Sequence, residues 1–378
     1  MNPIAFVRGT IYTDPWSEPI ADGALVIENG RIAALGSRQS MPIPKDSQIV
    51  DCGGTVLTAG FWNSHVHFTD RQWAGAEALP AEELERLLRR DFIRYGFTSL
   101  FDLSSNLADT LAIRRRIESG EVDGSRIRST GEGIIAAGAA PPETVFDAMG
   151  WMSVALHDVD GPEDAAAAAR ALLSAGADAI KIFASAAPSM PHSQVSQESM
   201  RAAVDVANAA QKPVFVHPND ADDVMRAVHA GVDVVAHTIP HSQSWGGELG
   251  AVRAAGIALI PTLTLWTGDA RRTAVEQLAA FRTGGGTILF GTDYGAVGAD
   301  PTQEYALMAQ AGMSFREILA SLTTAPARRF DRSHIAGALV PGGPADIVVL
   351  NGDPSKDSAA LADVRLTLRA GRKLYEKP

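Results

Sequence analysis

Residues 55–68 read Thr55-Val56-Leu57-Thr58-Ala59-Gly60-Phe61-Trp62-Asn63-Ser64-His65-Val66-His67-Phe68. An apolar run leads into two histidines spaced one residue apart. Successive side chains of a β-strand take opposite faces, so His65 and His67 point one way and Val66 the other. Two imidazoles side by side at a strand end can grip one divalent metal ion. His-x-His also occurs in surface strands and in hydrogen-bonded core pairs. The pair reads as a metal site only if the rest of the chain supplies further ligands.

Outward from this stretch, residues 57–327 alternate apolar strands with amphipathic or alanine-rich helices. The pattern predicts helices over 81–95, 109–119, 162–175, 197–210, 221–230, 247–255 and 274–284. The strands that follow them are predicted at 98–101, 126–129, 179–183, 213–217, 232–237, 258–261 and 287–293. With the opening stretch this makes eight strands, and such alternation implies a parallel sheet that closes naturally into a barrel. An open doubly wound sheet is the alternative, but no glycine-rich phosphate turn follows the first strand. At the ends, residues 24–28 and 31–35 flank Asn29-Gly30, a strong hairpin signal, and residues 345–350 and 364–368 read as further strands. The expected organisation is α/β: a (β/α)8 TIM barrel over 58–330, with a small β-sandwich domain built from both termini, 1–57 plus 331–378.

The working face of such a barrel is where its strands end. At or just beyond those ends stand His65, His67, Lys181, His217, His237 and Asp293, each in or after an apolar run. A buried ionisable group is costly unless paired or metal-bound, and six on one rim point to a metal centre. Lys181 conflicts with this reading as a plain ammonium group. Carbamylation by carbon dioxide would make it an anionic ligand able to bridge two metals; a Lys181–Asp293 ion pair across the barrel is the alternative, and the strand pattern leaves both open.

Composition narrows the classes. The 378 residues are 46% hydrophobic and 20% charged, which suits a globular protein with a large core. A formal net charge of -11 disfavours nucleic acid and gives no basic patch for anionic membranes. The single cysteine, Cys52, excludes an internal disulfide. No secretion leader and no membrane-length apolar run is seen, so a cytoplasmic location is expected.

Gly60 to Phe68, the 176–182 stretch Gly-Ala-Asp-Ala-Ile-Lys-Ile, the histidines ending strands five and six, Phe290-Gly291-Thr292-Asp293 and the 335–350 tail together resemble the amidohydrolase superfamily. Within it the chain is most similar to imidazolonepropionase-like and prolidase-like metal-dependent hydrolases. The resemblance implies two divalent metal ions, usually zinc. His65, His67 and Asp293 would hold the more buried ion, His217 and His237 the more exposed one, and carbamylated Lys181 would bridge them. A hydroxide between the ions would be the nucleophile. Asp293 would act as general base and then acid, the exposed ion would polarise the scissile carbonyl, and His237 joins Asp293 as a candidate catalytic residue. Family members often form homo-oligomers. Three features depart from the family pattern: Ala59-Gly60 in place of Pro-Gly, Asn63 in place of an Asp two before the first His, and no Gly-His after the third strand. The last puts a dipeptidase activity in question.

Large or polar groups in the loops after the strands suggest a pocket with apolar, aromatic walls for a small-molecule substrate. They are Trp73, Trp151, Met190, His192, His241, Trp245, Trp266 and Tyr294, with Arg71 as a candidate partner for a substrate carboxylate. The leading expectation is a hydrolase of an amide or related carboxylic bond (N-acyl amino acid, aryl amide, urea or ester). A cyclic-amide hydrolase of the dihydroorotase or hydantoinase kind and a non-catalytic binding relative are the alternatives.

Overall fold

Strand Phe61–Val66 pairs in parallel with Phe97–Asp102, which pairs in parallel with Arg126–Ser129. The Asp178 amide then donates to Ser129 O, 2.7 Å away, carrying the ring to strand Ile180–Phe183. Val214–His217, Val234–Ala236 and Ala258–Ile260 follow in parallel order. The eighth position, 287–293, is held by single bonds rather than a long ladder. Leu289 N–H donates to Leu259 O on one side, while Ser64 N–H donates to Phe290 O and Asp293 N–H to His65 O on the other. The ring is therefore closed, as the alternation predicts. These features come from a computed structural model, which describes residues 2–141, 143–186, 193–240, 246–331 and 337–378.

Strands buried on both faces carry near-continuous apolar sequence. In Val214-Phe215-Val216, the valines belong to the large core beneath the helices and Phe215 to a separate inner cluster with Phe101, Ala179, Val234, Ala258, Ile260 and Leu289. Several strands thus fill the barrel interior, and Phe330 closes it from below, its ring 4.9 Å from that of Phe101 and 5.5 Å from that of Phe215. Helix starts follow from local chemistry: Asn106, Ser196 and Asp220 each accept an amide of the first turn of helices Leu107–Glu118, Gln197–Ala209 and Ala221–Ala230.

Two local irregularities aim the strand ends. Phe61–Val66 loses register between the Asn63–Leu100 and Val66–Asp102 pairs. This offset places Trp62, whose ring packs near Phe330, and His65 on the same inner side although their numbers differ in parity. In Val234–Ala236, Val234 faces in, so strict alternation would turn His237 outward. Its left-handed φ of 75° breaks the alternation and returns the imidazole to the mouth.

The termini meet in one eight-stranded sheet. Its order is Arg372–Glu376, Val364–Arg369, Ile347–Leu350, Val56–Ala59, Ile4–Ile11, Ile20–Glu28, Arg31–Ser37, with Gln48–Asp51 also beside Ile4–Ile11. The expected sandwich is realised as this continuous sheet, curled so that Leu25, Ile32, Ile347 and Leu366 from both flanks share one apolar cluster. Val56–Ala59 belongs to it whole, so the boundary expected after residue 57 falls inside a strand. Gly60 marks the passage to the barrel; a Cβ there would land inside the Thr98 side chain.

The chain between the third barrel strand and helix Pro162–Ala175 holds elements not anticipated from sequence. Strand Ile134–Ala136 pairs with His157–Val159, and the short helix Glu143–Ala148 lies between them.

Candidate metal centre

His65, His67 and Asp293 form a tight triangle at the barrel mouth. His65 Nε2 lies 3.1 Å from His67 Nε2, and Asp293 Oδ1 lies 2.9 Å from the latter and 3.2 Å from the former. His237 joins them: one donor atom each of His65, His237 and Asp293 lies within 4.8 Å of the others. The His217 ring is centred 4.5 Å from that of His237, and Lys181 is wholly buried between the strands. All six expected ligands therefore stand on one rim, and five of them, His67, Lys181, His217, His237 and Asp293, line one cavity.

Hydrogen bonds at the outer nitrogens allow two imidazoles to turn lone pairs to the cluster. His67 Nδ1 is 3.2 Å from the Ser104 carbonyl and Nε2 is 2.9 Å from Asp293 Oδ1, both acceptors: with the proton on Nδ1 the ring turns a lone pair to the cluster, and with it on Nε2 the ring donates to Asp293. His237 Nδ1 lies 2.7 Å from Thr262 Oγ1, whose own proton goes to Pro261 O; here the proton is on Nδ1. Thr262 holds a left-handed φ of 44°, and the buried Glu304 anchors that turn by accepting the Leu263 and Thr264 amides at 2.8 Å each. Ser104, His237, Thr262 and Asp293 are all non-glycine residues at positive φ. Such strain gathers where the surrounding structure enforces a site.

Charge follows the same arrangement. Burial pushes His65 and His237 well below the usual imidazole value, and pushes His217 down to about 3. Burial alone would raise Asp293, but His65, the His67 hydrogen bond and His237 hold it well below the carboxylate range. Burial brings Lys181 down to about 7, against the pull of Asp293. Among the described residues its Nζ has no hydrogen-bond partner, so no hydrogen bond joins it to Asp293 as the ion-pair alternative required. In the ligating tautomer, imidazole lone pairs face the Asp293 carboxylate oxygen and would repel it unless a cation sat among them. The donor set fits divalent metal.

A pH dependence follows. Between pH 6.5 and about 3 the unfolded chain protonates His217 while the folded chain keeps it neutral. Stability of the metal-free protein therefore falls as pH is lowered through that window. The slope is about 1.4 kcal/mol per pH unit for each such histidine. Urea unfolding of metal-free protein at pH 7, 6 and 5 measures it; a flat profile would show that these imidazoles are accessible to protons.

The substrate residues expected from sequence are only partly gathered. Trp151 lines the cavity. Tyr294 does not: it is buried, donating its hydroxyl to Asp91 at 2.8 Å, because desolvation and two carboxylates favour a neutral phenol there. Trp73 is enclosed against Phe68 and Phe92 in the main core. Trp266 gives its indole N–H to Thr238 Oγ1 and packs on the core edge rather than in the cavity wall. Arg71 is exposed, paired with Asp147 and not among the described residues that line the cavity. Met190, His192, His241 and Trp245 lie outside the described residues. Sequence reading missed the lining residues Phe146, Met149, Leu156, Phe183 and Asn219. Asn219, two residues after His217 on the same strand end, was the one with a readable signal.

A closed barrel with imidazoles and a carboxylate gathered where its strands end is the architecture of a metal-dependent hydrolase. The chain belongs to the amidohydrolase family, whose model matches residues 56–374. Among solved structures it is similar to a candidate prolidase from Bifidobacterium longum, at 26% identity and a TM-score of 0.81 over 98% of this chain and 94% of that one. It is also similar to a Xaa-Pro dipeptidase crystallised with methionine in its active site (22% identity, TM-score 0.82, all of both chains). A third is phenylurea hydrolase B (23% identity, TM-score 0.78, 98% of this chain and 96% of that one). The last two likenesses carry the fold alone. No curated protein sequence matches the chain. Among the described residues, no helix is long and apolar enough to cross a membrane.

Proposed function

We propose that the protein hydrolyses an amide or a related carboxylic C–N or C–O bond at a centre of two divalent ions, zinc by preference. The observation that carries this is the convergence of His65, His67 and His237 on Asp293, beside the buried Lys181 amine. His65, His67 and Asp293 would hold one ion and His217 and His237 the other. Lys181 supports a bridge between them: a buried amine lowered to about 7 is neutral in a far larger share of molecules at physiological pH than an exposed lysine, as attack on carbon dioxide to form a carbamate and release a proton requires. When bound, the ions supply water acidified to near neutral pH and polarise the scissile carbonyl. Asp293 Oδ1 takes the proton of the attacking water and returns it to the leaving nitrogen or oxygen. Thr262 and Ser104 keep His237 and His67 in the ligating tautomer throughout, and the cavity walls exclude bulk water.

The test is metal analysis with a hydrolysis screen over N-acyl amino acids, aryl amides, ureas, esters, hydantoins and dihydropyrimidines. About two divalent ions per chain are expected. Chelation abolishes turnover and lowers the thermal midpoint, since an ion at about 100 times its Kd stabilises the fold by about 2.7 kcal/mol; added zinc restores both. A protein that binds no ion, or keeps turning over in excess chelator, would refute the metal-dependent reading.

A further inference from the structure

We infer that the cavity takes an uncharged substrate whose far end is a bulky apolar group, and that the segment between the third barrel strand and helix Pro162–Ala175 sets this preference. The inference rests on the hydrolase reading above and narrows its substrate. The cavity holds about 330 Å³, with the ligand cluster on one side. Facing the cluster are Ile135, Phe146, Met149, Trp151, Val154 and Leu156, all from that one segment. The segment is tied down beside the metal-ligand strand: Met152 N–H donates to Thr69 O at 2.7 Å, and Trp151 bridges Asp70. Trp151 gives its indole N–H to Gly295 O at 2.9 Å, which leaves the ring as its contribution to the wall, 6.4 Å from the His67 ring. Met149, 47% exposed, carries the apolar surface out to the rim.

Charge gives the selectivity. Among the described lining residues, the ionisable ones are those of the cluster itself, His67, Lys181, His217, His237 and Asp293. Arg71, a candidate for a substrate carboxylate, is already paired with Asp147 and is not among the described lining residues. Against the wall that Ile135, Phe146, Met149, Trp151, Val154 and Leu156 form, an anionic group would lose its water without gaining a cation from them. An aryl or branched alkyl group would shed water at no such cost. The wall therefore favours neutral anilides, ureas, carbamates and esters with an apolar distal group over substrates that end in a carboxylate.

The experiment compares 4-methylacetanilide with 4-acetamidobenzoate on the zinc-supplemented full chain. These differ at the ring position furthest from the scissile bond. The methyl compound is expected to show kcat/KM at least tenfold higher, although the carboxylate makes the aniline a slightly better leaving group. The products, 4-methylaniline and 4-aminobenzoate, are titrated calorimetrically in parallel, and the methyl compound is expected to bind at least tenfold tighter. In the Met149→Arg variant, whose new cation sits at an exposed rim position, both ratios should shrink at least fivefold. Equal or tighter handling of the carboxylate compounds by the wild type, or unchanged ratios in Met149→Arg, overturns the inference. Turnover of neither amide would count against the hydrolase reading alone, because the product titrations still decide what the wall accepts.

Discussion

Replacing Asp293 by Asn lowers turnover by about 10³-fold or more while leaving the folded structure intact. The size follows from removing a positioned proton carrier, a loss of about 10²- to 10⁴-fold, together with the weaker hold of a neutral amide oxygen on a cation. The choice of Asn follows from the backbone. Asp293 sits at φ 61°, in the left-handed region, where Asn is tolerated better than most residues and Ala or Leu would add strain. The Asp293 N–H bond to His65 O, which closes the barrel, is kept because it uses main chain alone. Circular dichroism and the thermal midpoint of the metal-free protein should therefore match wild type, and metal content should fall. Near-normal turnover in this variant would remove Asp293 from the chemistry. A collapsed midpoint would mean that its charge is needed to hold His65 and His67 even without metal.

The residues at issue in that variant were legible from sequence because strand ends announce themselves: an ionisable residue in or directly after an apolar run is a local pattern. His65, Lys181, His217, His237 and Asp293 follow from it, as does the barrel. The way His237 reaches the cluster does not follow. Simple alternation after Val234 would turn it outward, and only its left-handed backbone, with Thr262 waiting 25 residues later, brings it inward. The offset in Phe61–Val66 is equally silent, since nothing in Asn63-Ser64 marks a change of register. Loop residues fared worst. Tyr294 directly follows Asp293 and reads as a pocket residue, yet Asp91, about 200 positions earlier, captures its hydroxyl. The apolar wall from 134 to 156 was unreadable for a related reason. Its strands are three residues each, too short to show a period, and its side chains acquire a shared direction only through contacts with Thr69 and Gly295.

Lys181→Met separates stability from function most sharply. The wild-type amine is wholly buried with no hydrogen-bond partner among the described residues, a placement that costs about 1–3 kcal/mol when no ion or carbamate relieves it. Methionine is unbranched and of similar length, so it fills the space of the lysine stem with a weakly polar thioether in place of an ammonium. The metal-free variant is therefore expected to be more stable than metal-free wild type by about that amount. The pH profile should change too. Lys181 is lowered from 10.5 to about 7, so between those values the unfolded chain holds a proton that the folded chain lacks, and wild-type stability rises with pH across that window. The variant loses this slope. In exchange it should lose at least about 100-fold in metal affinity and turnover, since even groups that only support ligands cost 10- to 100-fold when removed. Denaturation of both metal-free proteins at pH 7 and pH 9, beside metal titrations of each, gives the comparison. A less stable variant that still binds two ions tightly would place the amine in the packing of the barrel, with no part in holding metal.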